Sequence, residues 1–114
     1  MKVIVAGSRE HPNKDLIFQT LNHTKKIISI SQIVSGKARG VDTYGEEWAK
    51  KYGYPIAEFS AHWHAHGKAA GPIRNAQMAQ FGDILLAFPF GEAKGTRNMI
   101  SQMIKLEKRV VVIF

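Results

Sequence analysis

The chain has 114 residues, enough for one domain spanning 1–114 with a real hydrophobic core. It holds no cysteine, which excludes disulfide staples, a thiolate nucleophile and a cysteine-type zinc site. The 16 lysines and arginines against 9 carboxylates give a formal charge of +7, which points to anionic partners, and no apolar run is long enough to cross a bilayer.

Read in chain order, the sequence alternates strand and helix signals. Residues 2–7 (KVIVAG) are short, apolar and β-branched, the pattern of a buried strand. Pro12 and Asn13 stop and restart the chain, with Asn13 an N-cap for a helix over 14–25. Residues 29–34 read as a second strand. A helix over 41–52 follows, in which Val41, Tyr44, Trp48 and Tyr52 recur at helical spacing and Gly53 ends the run. Residues 55–59 predict a third strand, and 60–70 a long polar loop. Gly71-Pro72 opens the next helix, with proline at the first helical position, and the helix ends near Gly82. A fourth strand at 83–88, a loop at 89–95, a helix at 96–107 and a last strand at 109–114 complete the order. The opening MKVIVAGSRE turns polar too early for a secretory signal, so a soluble cytoplasmic protein without membrane contact is expected.

Continuous apolar strands joined by helical crossovers imply a parallel sheet covered on both faces. The expected fold is α/β: a single doubly wound, Rossmann-like domain with a five-stranded parallel sheet. In such sheets ligands bind beyond the carboxyl ends of the strands. The strand-to-helix loops at that edge carry Arg9, Lys37, Arg39, Lys68, Arg74, Lys94 and Arg97, against Glu10, Asp42 and Glu92. Glycines accompany them and let a backbone approach a ligand closely. Helix N-termini add N–H groups and a positive dipole end. The edge therefore reads as an anion site, most simply a phosphate site.

Four segments supply the chemistry. VAGSR (5–9) ends a strand in Gly7, a hydroxyl from Ser8 and the planar fork of Arg9. SGKARGVD (35–42) is neither a dinucleotide GxGxxG nor a P-loop, but Ser35, Gly36, Lys37, Arg39 and Gly40 form a tight loop whose N–H groups can converge on one anion. Asp42 either caps the following helix or accepts from a ribose hydroxyl. HWHAHGKAAGPIRN (62–75) offers Trp63 either as a stacking wall for a base or as a core residue, with Lys68, Arg74 and Asn75 able to face a ligand. On an extended segment its His62, His64 and His66 would share a face, but no carboxylate lies among them and no metal is expected. Gly95 and Thr96 stand at a helix start, where Thr96 can cap the helix and bind phosphate. Glu46 fits a capping box with Thr43. No catalytic triad or carboxylate pair can be read from spacing.

Taken together, GSR after the first strand, SGKARGVD after the second, the tract from Trp63 through GKAAGPIRN, and GT at a helix start resemble the SLOG superfamily, and most closely its small YspA-like branch of bacteria and phages. The resemblance spans nearly the whole chain. It implies a nucleotide-type ligand over the carboxyl edge, held by Gly7, Ser8, Arg9, Ser35, Gly36, Arg39, Gly40, Asp42, Arg74, Asn75, Gly95 and Thr96. It also implies a homodimer or higher homo-oligomer. Relatives include the lonely-guy phosphoribohydrolases, the DNA-processing A proteins and sensor domains for nucleotide signals such as cyclic ADP-ribose. One departure matters. The hydrolases carry PGGxGTxxE, whereas this chain reads FGEAKGTRNM, with Met99 at the glutamate position. Methionine cannot act as acid or base, so hydrolysis would need a substitute from Asp42, Glu46 or Glu92.

Three functions remain open at this level. One is a module that binds a phosphorylated nucleotide or ADP-ribose-like signal, with no resident cofactor. Another is a nucleotide N-glycosidase. The third is single-stranded nucleic acid binding, with Trp63 and Phe90 as stacking aromatics.

Overall fold

The computed structural model describes residues 1–114. Five parallel strands form one sheet: β1 (Lys2–Gly7), β2 (Gln32–Ser35), β3 (Ile56–Glu58), β4 (Ile84–Phe88) and β5 (Arg109–Val112). Their order across the sheet is β3-β2-β1-β4-β5. The helices are α1 (Lys14–Ile27), α2 (Val41–Tyr52), the short α3 (Trp63–His66), α4 (Ala70–Phe81) and α5 (Lys94–Lys105). The expected doubly wound α/β fold is present. No helix is long and apolar enough to cross a membrane.

Strand β1 sits at the centre because every one of its inner residues is apolar and alternation feeds both faces. Val3 and Val5 point to one side, where Ile17 and Leu21 of α1 and Val41 and Trp48 of α2 complete a core. Ile4 and Ala6 point to the other, against Met78 and Ala79 of α4 and Met99 and Met103 of α5. Trp48 is fully buried, and its indole N–H donates to Asn22 Oδ1 at 2.9 Å, so the core keeps no orphan donor there. Asn13 caps α1 as its sequence predicts, its Oδ1 accepting from Leu16 N–H at 3.0 Å. Gly53 closes α2 in the left-handed region.

Several boundaries differ from the sequence reading, each for a tertiary reason. β2 begins at Gln32, not residue 29, because Gln32 pairs with Lys2 and β1 has only Met1 before that. β5 ends at Val112, where its ladder with β4 stops at Ala87. The polar stretch 60–70 is not all loop: α3 and a 3-10 turn at Gly67–Ala69 fill it. α4 starts at Ala70, so Pro72 lies at the third helical position rather than the first. It is tolerated there because a first-turn N–H has no helical partner in any case. α5 starts at Lys94, two residues before the expected Thr96.

This topology makes the site. The chain leaves β1 toward β2 on one side and leaves β4 toward β5 on the other, so the connections diverge above the neighbouring carboxyl ends of β1 and β4. A crevice opens at that switch point.

Candidate functional site

A cleft of about 710 Å³ lies above the ends of β1 and β4, within the usual size range of small-molecule sites. Its floor is the end of β1. Gly7 is required there: a Cβ would stand 2.5 Å from the Phe88 carbonyl oxygen. Ser8 follows. Its hydroxyl donates to the Phe90 carbonyl at 2.9 Å and accepts from the Phe90 N–H at 2.8 Å, which ties the first loop to the loop after β4. Arg9 lines the cleft and has no carboxylate partner.

The opposite wall is α4. Arg74 points from its first turns into the cleft and donates through Nη1 to the Gly36 carbonyl at 2.9 Å and through Nε to Asn75 Oδ1 at 3.2 Å. Nη2 has no partner in the protein. Burial lowers the Arg74 pKa, Asp42 opposes that shift, and the nearby Arg9 charge adds to it. Two guanidinium groups thus stand close enough to repel one another within one cleft. Asn75 is buried and donates to the Gly95 carbonyl at 3.2 Å and Asn98 Oδ1 at 3.1 Å, which braces α4 against α5. The third wall is the start of α5. Its N-cap, Ala93, is left-handed (φ 51°) and gives no side-chain cap, so the first amides of α5, at Lys94, Gly95 and Thr96, lack one. Thr96 is therefore not the helix cap but a buried residue of the first turn that lines the cleft.

Asp42 is the one buried carboxylate in the cleft, 5% exposed. It does not cap α2, whose N-cap is Gly40 without a side-chain bond. It accepts from the Ala38 N–H at 3.3 Å. Burial pushes its pKa up to about 7, against the opposing pull of the Ala38 backbone and the Arg74 charge. Trp63 is 51% exposed and Phe90 50% exposed, and both line the cleft. The core alternative for Trp63 is thereby removed; its ring edge lies beside Gly71.

Other residues singled out in the sequence are held elsewhere. Ser35 is buried and donates to Glu46 Oε2 at 2.6 Å. Glu46 also takes the Lys37 ammonium at 2.9 Å, and Lys37 reaches Glu58 at 3.6 Å. Burial raises the Glu46 pKa, but the Ser35 hydroxyl and Lys37 ammonium outweigh it and hold the carboxyl below its usual range. Glu46 is thus no capping-box residue. Thr43 instead donates to the Ala38 carbonyl at 3.2 Å, and Glu46 braces the loop from β2, outside the cleft lining. Arg39 pairs with Glu10 at 2.8 Å on the surface, and Lys68 is exposed on the 3-10 turn. Gly36 and Gly40 shape the loop without lining the cleft: Gly36 contacts Arg74 and Asp42, and Gly40 has φ +78° against the Arg9 carbonyl. Glu92 lines the cleft but is largely exposed and pairs with Lys94 at 3.4 Å. His62, His64 and His66 lie on or beside a helical turn, where alternate residues do not share a face, and no group of three potential metal ligands is gathered.

Asn98 was not foreseen from the sequence. Its signal is its place one turn beyond Gly95, on the face of α5 that meets Asn75. Met99 also reaches the cleft, where it is buried.

Comparison with known proteins identifies the family. The model of the YspA, cpYpsA-related SLOG family matches residues 1–66, which carry Gly7 to Arg9, Asp42 and Trp63 but not Arg74 or α5. The Gene 61 protein of Mycobacterium phage D29 is 32% identical over 108 residues, covering 89% of this chain and 86% of that protein. No solved structure matches the chain significantly. With a matching family model over more than half its length and a phage relative along nearly all of it, this chain belongs to the YspA, cpYpsA-related SLOG family.

Proposed function

We propose that the protein binds a phosphorylated nucleotide or ADP-ribose-like ligand in the carboxyl-edge cleft, as a sensor or sequestering protein. The observation that carries this reading is the pair Arg9 and Arg74, two guanidinium groups without carboxylate salt-bridge partners facing one cleft beside the uncapped start of α5. An anion between them relieves their repulsion and gains charge-assisted hydrogen bonds. The first amides of α5 offer further donors. Trp63 and Phe90 supply exposed rings for a base. The family supports a nucleotide-related ligand without naming one.

The test is thermal shift against AMP, GMP, NAD, ADP-ribose, cyclic ADP-ribose and cyclic dinucleotides. A true ligand at about 100 times its dissociation constant adds roughly 2.7 kcal/mol of stability. Arg74→Ala should remove the shift, and silence across the whole panel would sink the reading.

A second reading rests on Asp42. A carboxyl poised near neutrality inside a ligand cleft is the usual state of a general acid or base. It supports a nucleotide N-glycosidase in which Asp42 takes the part that Met99 cannot. Release of free base from the ligand found above, lost in Asp42→Asn, is the expected result. Binding without release leaves the sensor reading alone standing.

A further inference from the structure

The net charge of the molecule is not where the cleft is. Of the 16 cations, eight stand at the amino edge of the sheet, where strands begin and helices end. Lys25 and Lys26 lie in the last turn of α1, Lys50 and Lys51 in that of α2, and Lys105 in that of α5. Lys2 and Arg109 open β1 and β5, and Lys108 precedes Arg109. Only Asp83 and Glu107, of the 9 carboxylates, share that edge. The remaining eight cations meet the remaining seven carboxylates, so six of the seven net charges belong to the amino edge.

Pairing divides the same way. The salt bridges involve Lys14, Lys37, Arg39 and Lys94, none of them at the amino edge. Asp83 accepts from the Lys2 backbone N–H at 2.7 Å rather than from an ammonium. Lys108 is engaged internally, its ammonium donating to the carbonyls of Ala79, Gln80 and Gly82. The others present unneutralised charge.

Helix C-termini favour cations, and that accounts for lysines in the last turns. The same dipole disfavours carboxylates at those ends. It does not account for Lys2 and Arg109, which lie in strands. The chemistry of the surface narrows its partner. Seven of its eight cations are lysine, the residue depleted from protein–protein interfaces. The helices meet this edge end-on, so none lays an apolar face along a bilayer. Tyr52, 38% exposed, sits with the Lys25 ammonium 4.0 Å and the Lys51 ammonium 5.5 Å from its ring centroid. The ring holds these two ammonium groups beside it by cation–π attraction, which concentrates positive charge on this edge. The five strand starts, about 4.8 Å apart, extend the edge over roughly 20 Å.

We propose that the amino edge of the sheet is a sequence-independent contact surface for the phosphate backbone of a nucleic acid, on the opposite side of the molecule from the cleft. The two surfaces are independent, so a nucleotide in the cleft does not compete with nucleic acid.

Fluorescence anisotropy of a short labelled DNA, single-stranded or duplex, tests this across a range of salt. Wild-type affinity should fall linearly on a log–log plot, with the slope reduced by about 0.9 for each duplex phosphate contact removed. The triple variant Lys26→Glu, Lys50→Glu, Lys51→Glu should lose at least about ten-fold in affinity, while Arg9→Ala binds as wild type. All three substituted lysines are exposed, and circular dichroism verifies folding. If the triple variant does not fold, the milder pair Lys50→Gln, Lys51→Gln replaces it and should still lower both affinity and salt slope. Three results would overturn the proposal: no wild-type binding at low salt, binding lost in Arg9→Ala but kept in the lysine variant, or tighter binding to acidic phospholipid vesicles or polyglutamate than to DNA.

Discussion

Replacing Asp42 with asparagine should stabilise the protein, and the gain should grow as pH rises. In the folded protein this carboxyl is buried and its pKa stands at about 7, against a usual 3.8. Below the usual value it is protonated in both folded and unfolded chains and costs nothing. Between the two values the unfolded chain releases the proton while the folded chain keeps it, so rising pH favours unfolding. Above about 7 the group is ionised in both states and the full cost applies. A shift of about three units is worth about 4 kcal/mol at 1.36 kcal/mol per unit. Asparagine keeps an oxygen to accept from Ala38 but leaves Arg74 without its neighbouring charge, which reduces the net gain to about 2–4 kcal/mol at pH 8. Urea unfolding of both proteins at pH 4.5 and pH 8 isolates the effect, because pH-independent terms cancel. The advantage of the variant should increase by about 3 kcal/mol between those pH values. An advantage that stays flat, or one that shrinks toward high pH, would refute the reasoning and show that Asp42 titrates as an ordinary carboxyl.

Lys108→Met should destabilise the protein by about 2 kcal/mol, because three carbonyls at the end of α4 lose a charged donor at 2.7–2.9 Å; Lys105→Met, exposed in the last turn of α5, should change stability by less than about 0.5 kcal/mol in the same urea titration. Gly40→Ala should cost about 2 kcal/mol or more, since φ is +78° and a Cβ would stand 2.5 Å from the Arg9 carbonyl oxygen; a neutral effect would mean the loop shifts freely. Arg74→Ala should remove the ligand-induced rise in melting temperature while changing the fold little, and retention of the rise would move the anion site away from Arg9 and Arg74.

Sequence reading and structure part company at identifiable residues. Gly7, Ser8, Arg9, Arg74, Asn75, Gly95 and Thr96 were placed at the carboxyl edge by the strand–helix order, the local motifs and the family resemblance together, and all of them line the cleft. Lys37, Arg39 and Lys68 belong to the same loops yet stay outside it. Loop membership fixes a residue's height on the sheet but not its direction. Direction depends on partners such as Glu46 for Lys37 and Glu10 for Arg39, which lie 9 and 29 residues away in the chain. The charge reading changes for the same reason. Counting cations in loops made the carboxyl edge look basic, but three of those seven, Lys37, Arg39 and Lys94, are paired with carboxylates there, while the lysines that end α1 and α2 have no carboxylate partner at the other edge.

By itself the sequence determined the alternation of strands and helices and the parallel, doubly wound sheet that they build. Those follow from local periodicity, from Asn13 and Gly53 at helix ends, and from the handedness of parallel crossovers. Tertiary structure alone decided that Asp42 is a buried acid near neutrality rather than a cap, that Glu46 braces a loop, and that Arg9 and Arg74 share a cleft. Burial and pairing are properties of residues far apart in the chain, and no local pattern encodes them.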